Sequence, residues 1–272
     1  MSRAEVSLPL IVSASRRTDI PAFHMEWMLS RLREGFADVA NPRNPKQVRR
    51  VELTREAAGC LVFWSKNPAP LLARIDELEA FGIPFGILFT LNAYGPDLEP
   101  GVPPREERLA TFRALSRRIG REKLAWRYDP IALSERYDAE FHRTRFAELA
   151  ERLAGSTGRC IVSYLDFYAR TVRNTAGLGL YDPGPGEKSA LALELEAIGR
   201  ERGIRLESCA EAGLPLPSAA CIGADWVETV CGRTLETRKD PGQRPLCNCV
   251  RSVDIGVNDT CPHNCRYCYA NR

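Results

Sequence analysis

Ala139-Glu-Phe-His-Arg-Thr-Arg-Phe-Ala-Glu-Leu-Ala-Glu-Arg-Leu153, then Ala-Gly155-Ser-Thr-Gly-Arg, then Cys160-Ile-Val-Ser-Tyr-Leu165, is the stretch that decides how the chain folds. The first run is an amphipathic helical pattern that stops at Gly155, and the last is a short β-rich apolar run. This helix–glycine–strand unit recurs in both directions. Upstream, strands are expected at Leu10–Ser15, Cys60–Ser65, Phe85–Leu91 and Leu124–Tyr128, with helices at His24–Glu34, Pro68–Ala80 and Pro104–Ile119. Downstream, a helix over Glu187–Arg202 precedes strands at Arg205–Cys209 and Val253–Val257. Strands alternating with helices predict an α/β fold with a parallel sheet, a (β/α) TIM-like or partial barrel.

The 272 residues, 44% of them hydrophobic, suit one large core, so residues 1–272 are expected to form a single barrel domain with an irregular cysteine-rich region over 209–272. The net charge of +3 gives little support for nucleic acid as a partner, which stays open. No run has the length of a membrane span. Met1-Ser-Arg-Ala-Glu is not followed by an apolar signal core, so no signal peptide and no membrane partner are expected. The glycine- and proline-rich stretch Asn174–Glu187 predicts a long loop, of the kind that serves as a lid or as a plain insertion.

Ten cysteines without a secretory signal point to a reducing, cytoplasmic setting and to metal ligation. Cys60 and Cys160 lie in apolar runs and read as small buried hydrophobes. The other eight fall between Cys209 and Cys268. Cys261-Pro-His-Asn-Cys265-Arg-Tyr-Cys268 carries the strongest signal. Three thiolates on one loop suit three irons of a [4Fe–4S] cluster and leave the fourth iron open. Zinc is the rival, because Cys-x2-Cys pairs are common zinc ligands and His263 lies inside the motif. The crowding of three thiolates on one loop, with no second knuckle, favours iron–sulfur.

Polar residues crowd the expected strand ends, where barrel enzymes build their sites. Arg16, Arg17 and Asp19 follow the first strand, Lys66 the second, Asn92 the third, Arg127 and Asp129 the fourth, and Glu211 the sixth. An arginine pair suits a carboxylate or phosphate, or else pairs with Asp129 or Asp166. Alternation along the strand puts Arg127 and Asp129 on the face opposite Tyr128. His24 and His142 lie in helical patterns and read as packing or surface residues. Phosphate-binding Gly-x4-Gly-Lys, His-Glu-x2-His and Gly-x-Ser-x-Gly motifs are all missing from the sequence.

The terminal run Cys261-x3-Cys265-Arg-Tyr267-Cys268-Tyr-Ala resembles the cluster motif of radical S-adenosylmethionine (SAM) enzymes, in particular the spore photoproduct lyase and DNA-repair photolyase-like branch. The whole chain is similar to a bacterial family, domain of unknown function 1848, from Ser13-Ala-Ser-Arg-Arg-Thr-Asp-Ile-Pro through Val62-Phe-Trp-Ser-Lys-Asn-Pro and Trp126-Arg-Tyr-Asp-Pro to the last cysteines. The resemblance implies a [4Fe–4S] cluster on Cys261, Cys265 and Cys268 and SAM at its open iron, with Tyr267 against the adenine. It also implies an unknown substrate at the barrel mouth and an electron donor such as ferredoxin or flavodoxin; the alternative is a non-catalytic iron–sulfur or zinc-binding protein used for electron transfer, sensing or structure. The cluster motif usually opens such barrels and here comes last, which implies a circular permutation. No Gly-Gly-Glu run of the kind that holds the SAM amine is found, and Asn92, Arg127 and Glu211 are the rim groups available in its place.

The resemblance extends to Ser208-Cys209-Ala-Glu211, Cys221-Ile and Cys247-Asn-Cys249. Cys209, Cys221, Cys247 and Cys249 are a possible second metal site, either a fully ligated [4Fe–4S] cluster or a structural zinc, with scattered buried thiols as the plain alternative. Cys231 reads as structural.

Overall fold

The computed structural model describes residues 9–42 and 44–271. The amino-terminal stretch read for a signal peptide lies outside the described residues. In chain order the elements are β1 (Leu10–Ala14), α1 (Ile20–Phe23), α2 (Met25–Glu34), β2 (Phe36–Asn41), β3 (Asn44–Glu52), β4 (Ala58–Ser65), α3 (Ala69–Ala73), α4 (Ile75–Glu79) and β5 (Phe85–Thr90). Then come α5 (Arg105–Ile119), a 3-10 turn at Arg121–Lys123, β6 (Leu124–Ile131), α6 (Ala139–Leu153), β7 (Arg159–Tyr164), α7 (Ala169–Asn174), α8 (Pro185–Glu201), β8 (Arg205–Ser208), α9 (Ala224–Cys231) and β9 (Val253–Asp254).

Seven strands form one sheet in the order β8-β7-β6-β5-β4-β1-β9, and every neighbouring pair is parallel. All seven expected strands are present, and the mixed α/β architecture is as expected. β2 and β3 form a separate antiparallel ribbon. Every residue of β4 and β5 is buried, as a parallel strand covered on both faces requires. Alternate side chains serve two cores. Leu61, Phe63, Ile87, Phe89, Trp126 and Val162 pack with helical residues such as Leu29, Phe112, Phe146 and Leu195. Cys60, Val62, Trp64, Leu88, Ala125 and Ile161 face the other way, against Trp226, Val227 and Val230 of α9 and the cysteine-rich segment.

The unit that decided the fold forms as expected. Asp138 caps α6 by accepting from the Phe141 N–H at 2.7 Å, and the chain leaves the helix through Gly155 at φ 76°. Phe146, Leu149, Ala150 and Leu153 make its buried stripe. The expected helix over 24–34 forms as α2, preceded by the short α1, while the one over 68–80 is divided into α3 and α4. The predicted loop over 174–187 is pinned: the Tyr181 N–H donates to the Leu133 carbonyl at 3.0 Å, Leu178 and Leu180 pack on the rim, and α8 already begins at Pro185.

Candidate functional site

A parallel sheet delivers the carboxyl ends of all its strands to one edge, and the polar residues there bind one another around the rim. Asp254 on β9 fastens the outermost strand to β1. It accepts from Ser13 Oγ at 2.9 Å, Ser15 Oγ at 2.7 Å, the Arg16 N–H at 2.7 Å and the Gly256 N–H at 3.0 Å. Asp19 caps α1, accepting from the Ala22 N–H at 3.0 Å, and also receives Ser65 Oγ and the Lys66 N–H, both at 2.7 Å. Asn92 spans β5 and β6. Its Oδ1 accepts from the Asp129 N–H at 2.9 Å and its Nδ2 donates to the Asp129 carbonyl at 3.0 Å. Arg127 pairs with Asp129, and Ser163 donates to the same carboxylate. Glu211 accepts from the Tyr164 N–H at 2.8 Å, and its burial pushes the carboxyl up from its ordinary pKa.

The cysteine loop leaves β9 and lies on this rim. Residues 95–103, between β5 and α5, hold it along its backbone. The Gly101 N–H donates to the His263 carbonyl at 2.9 Å and the Arg266 N–H to the Leu98 carbonyl at 2.9 Å. A side chain at Gly101 would bring its Cβ within 2.5 Å of the Pro262 carbonyl oxygen, so the close approach needs glycine. His263 Nε2 lies 2.9 Å from Asp19 Oδ2 and Nδ1 lies 2.9 Å from the Gly101 carbonyl. With both ring nitrogens facing protein oxygens and the ring 1% exposed, His263 is a clamp between Asp19 and the Gly101 carbonyl.

Glu99 is the centre of the second clamp. Lys66 Nζ donates to it at 2.7 Å, the Tyr267 hydroxyl donates to the same oxygen, and Arg108 Nη2 stands 3.9 Å from the other. Burial pushes the Glu99 carboxyl up, but the charges of Lys66 and Arg108 and the hydrogen bonds from Lys66 and Tyr267 outweigh it and hold the group below its ordinary value. Tyr267 is thereby buried, its ring edge-on to Tyr94 at 5.9 Å and under Lys66 Nζ at 5.3 Å. Of the three thiols, Cys265 is buried, while Cys261 and Cys268 are partly exposed. Burial pushes Cys261 up to about 11, with the Asp19 and Cys268 charges adding to it; burial also raises Cys265, which feels both Cys261 and Cys268.

Cys209, Cys221, Cys247 and Cys249 come together on the other side of the sheet, all buried. Cys221 Sγ is 3.4 Å from Cys209 Sγ, and the Ile222 N–H donates to Cys249 Sγ at 3.4 Å. Cys209 and Cys247, Cys221 and Cys249, and Cys247 and Cys249 also lie near enough to shift one another's thiol ionisation, so the four form one group. Two guanidiniums stand beside it: Arg16 and Arg127 each lie 4.8 Å from the Trp64 ring. Cys231 is elsewhere, against Cys60 and the Gly59 carbonyl. Among the described residues, no group of three or more His, Cys, Asp or Glu side chains stands in metal-holding geometry.

The structure therefore gathers Arg16, Asp19, Lys66, Asn92, Arg127, Asp129, Glu211 and Tyr267 on one rim, but mostly as partners of one another. Arg16 donates to Ser252 Oγ at 3.2 Å and Arg17 to the Gly256 carbonyl at 3.3 Å, so neither pairs with Asp129 or with Asp166, whose partner is Arg244. His142 is a core residue, 2.8 Å from the Tyr128 hydroxyl, which confirms its packing role. Sequence reasoning passed over Glu99, Asp254 and Ser163. A charged residue between Leu98 and Pro100, and an aspartate inside an apolar strand, were the available signals.

A family model described as Domain of unknown function (DUF1848) matches residues 11–270. None of the curated proteins matches the chain. The solved structures that the chain resembles include two of low TM-score. One is a candidate alpha-L-fucosidase from Bacteroides thetaiotaomicron VPI-5482, 9% identical, with a TM-score of 0.29 over 86% of this chain and 89% of that one. The other is the pneumococcal virulence factor StrH, 10% identical, with a TM-score of 0.28 over 75% of this chain and 53% of that one. At these TM-scores neither likeness bears on fold or reaction. No helix among the described residues is long and apolar enough to cross a membrane.

Proposed function

We propose that this chain, which belongs to the DUF1848 family over residues 11–270, is an iron–sulfur enzyme of the radical SAM type, because its cysteine loop sits on the polar rim. Its scaffold in this reading is a partial (β/α) barrel, circularly permuted so that the cluster strand comes last. The observation that carries the reading is the placement of β9. That strand, last in sequence, pairs parallel with β1 at the sheet edge, so the strand order runs β9-β1-β4-β5-β6-β7-β8 without interruption. Read from β9, this order supports a singly wound barrel in which the cysteine loop would be the first βα connection.

The donor set suits a [4Fe–4S] cluster. Three sulfurs come from one loop, two of them partly exposed and all close enough to perturb one another electrically. Cys261, Cys265 and Cys268 would hold three irons and leave the fourth for SAM. The chemistry such a group supplies when bound is one-electron cleavage of SAM to methionine and a 5′-deoxyadenosyl radical, with ferredoxin or flavodoxin as the class of donor. The chain's own residues do the positioning. Asp19 through His263, and Glu99 through Tyr267, fix the two ends of the loop. Since Tyr267 is buried on Glu99, the aromatic face left open to adenine is that of Tyr269, which is 53% exposed. The substrate is held over the rim between Arg16, Arg127 and Lys66.

Anaerobic reconstitution with iron and sulfide, followed by SAM and dithionite, tests the reading. Release of 5′-deoxyadenosine is expected, and none from the variant with Cys261, Cys265 and Cys268 all replaced by alanine. A chain with a full cluster that neither binds nor cleaves SAM would overturn it.

A further inference from the structure

We infer that Cys209, Cys221, Cys247 and Cys249 form a closed four-thiolate site for one zinc ion on the inner face of the sheet, independent of the terminal loop. Three observations converge on it. The first is geometry. All four cysteines are buried in one cluster, with the Cys209 and Cys221 sulfurs 3.4 Å apart. Four sulfurs at about 2.3 Å from one zinc stand about 3.8 Å from each other, by tetrahedral geometry. A [4Fe–4S] cluster would need its four thiolates on four separate irons, and the Cys209 and Cys221 sulfurs at 3.4 Å stand too close for that.

The second observation is the orphaned donors. Trp64 Nε1, Arg16 Nη2 and Arg127 Nε are buried without hydrogen-bond partners, and Trp64 belongs to the same buried cluster as the four cysteines. Neutral thiols are poor acceptors for such groups, whereas thiolates are good ones. Zinc with four thiolates carries a net charge of about −2, and Arg16 and Arg127 flanking Trp64 supply the matching positive charge. The third is the amide on sulfur. Ile222 donates its N–H to Cys249 Sγ at 3.4 Å, the kind of backbone support that orients a metal-bound thiolate.

The position explains what the site would do. Residues 209–250 include only α9 as a regular helix, yet they cover the inner face of β4, β5, β6 and β7. Four ligands from the end of β8 and from two turns of that segment would staple it to the sheet, with no position left open for substrate.

The test uses the full chain, purified anaerobically, with zinc and iron counted and the zinc X-ray absorption edge recorded. About one zinc per chain is expected, with four sulfur neighbours at about 2.3 Å. The variant lacking Cys261, Cys265 and Cys268 retains it, and Cys247→Ser with Cys249→Ser loses it. If that double variant does not fold, the coordination measured on the intact chain decides. Zinc bound through nitrogen or oxygen, no zinc with all ten thiols freely reactive, or iron retained by the terminal-loop variant in place of zinc would each overturn the inference. Loss of SAM cleavage alone bears only on the terminal loop, so the two sites fail separately.

Discussion

Seven of the ten cysteines fall into two groups that the fold treats in opposite ways. The terminal three lie on a loop held from outside by charged and polar clamps, Asp19 with His263 and Glu99 with Lys66, Arg108 and Tyr267. The other four lie together inside an apolar cluster on the opposite face of the sheet, with Cys209 and Cys221 in direct contact. An open group kept in place by its surroundings suits a site that must admit a ligand. A closed group that consumes its own valences suits a staple. Clamp residues should therefore matter to the terminal group and leave the inner one untouched.

The largest effect is expected from Glu99→Gln. It leaves the buried Arg108 and the half-buried Lys66 without a full counter-charge, at a cost of about 3–5 kcal/mol. A fall in melting temperature together with loss of iron from the terminal loop, and unchanged zinc, is the expected pattern. Equal loss of both metals would break the distinction between the groups.

Acid should act on the same side of the molecule. Burial lowers His142 from 6.5 to about 4, so the unfolded chain takes up a proton that the folded chain refuses. Stability is then complete above about pH 6.5 and declines towards pH 4, by about 3 kcal/mol in all. Glu99 is held low, so its contribution is present above the ordinary glutamate range and is lost only as pH falls through its lowered value. A denaturation midpoint that stays flat from pH 7 to pH 4.5 would contradict this account of His142.

Gly101→Ala is the mildest case. Its Cβ meets the Pro262 carbonyl oxygen at 2.5 Å, and the backbone must give, at about 1–3 kcal/mol. Reconstitution should yield a labile terminal cluster on an otherwise intact fold. Iron retention equal to that of the unsubstituted chain would remove Gly101 from the clamp.

The sheet was legible because its strands are short, apolar and divided by helix–glycine punctuation, as in α6, Gly155 and β7. The β2–β3 ribbon was not, since β3 is exposed except at Val51 and carries Pro45, so no apolar alternation marks it. It is held instead by pairs such as Arg50 with Asp38, which sequence spacing does not reveal. α9 was missed because it is only eight residues long, inside a segment dominated by cysteine and turn residues. The rim residues were found as a group, but their partners were not. Asn92 and Glu211 read as free polar groups, and only the fold shows that backbone amides of Asp129 and Tyr164 already occupy them. His263 read as a possible ligand because sequence places it between cysteines, while the structure turns its ring to Asp19 and Gly101.

The most direct test of the central claim is the electron paramagnetic resonance spectrum of the anaerobically reconstituted, dithionite-reduced chain, recorded with and without SAM. An open-cornered [4Fe–4S] cluster on Cys261, Cys265 and Cys268 predicts a reduced-cluster signal whose line shape changes when SAM is added. A signal that SAM leaves unchanged, or no cluster signal after full reconstitution, would contradict it.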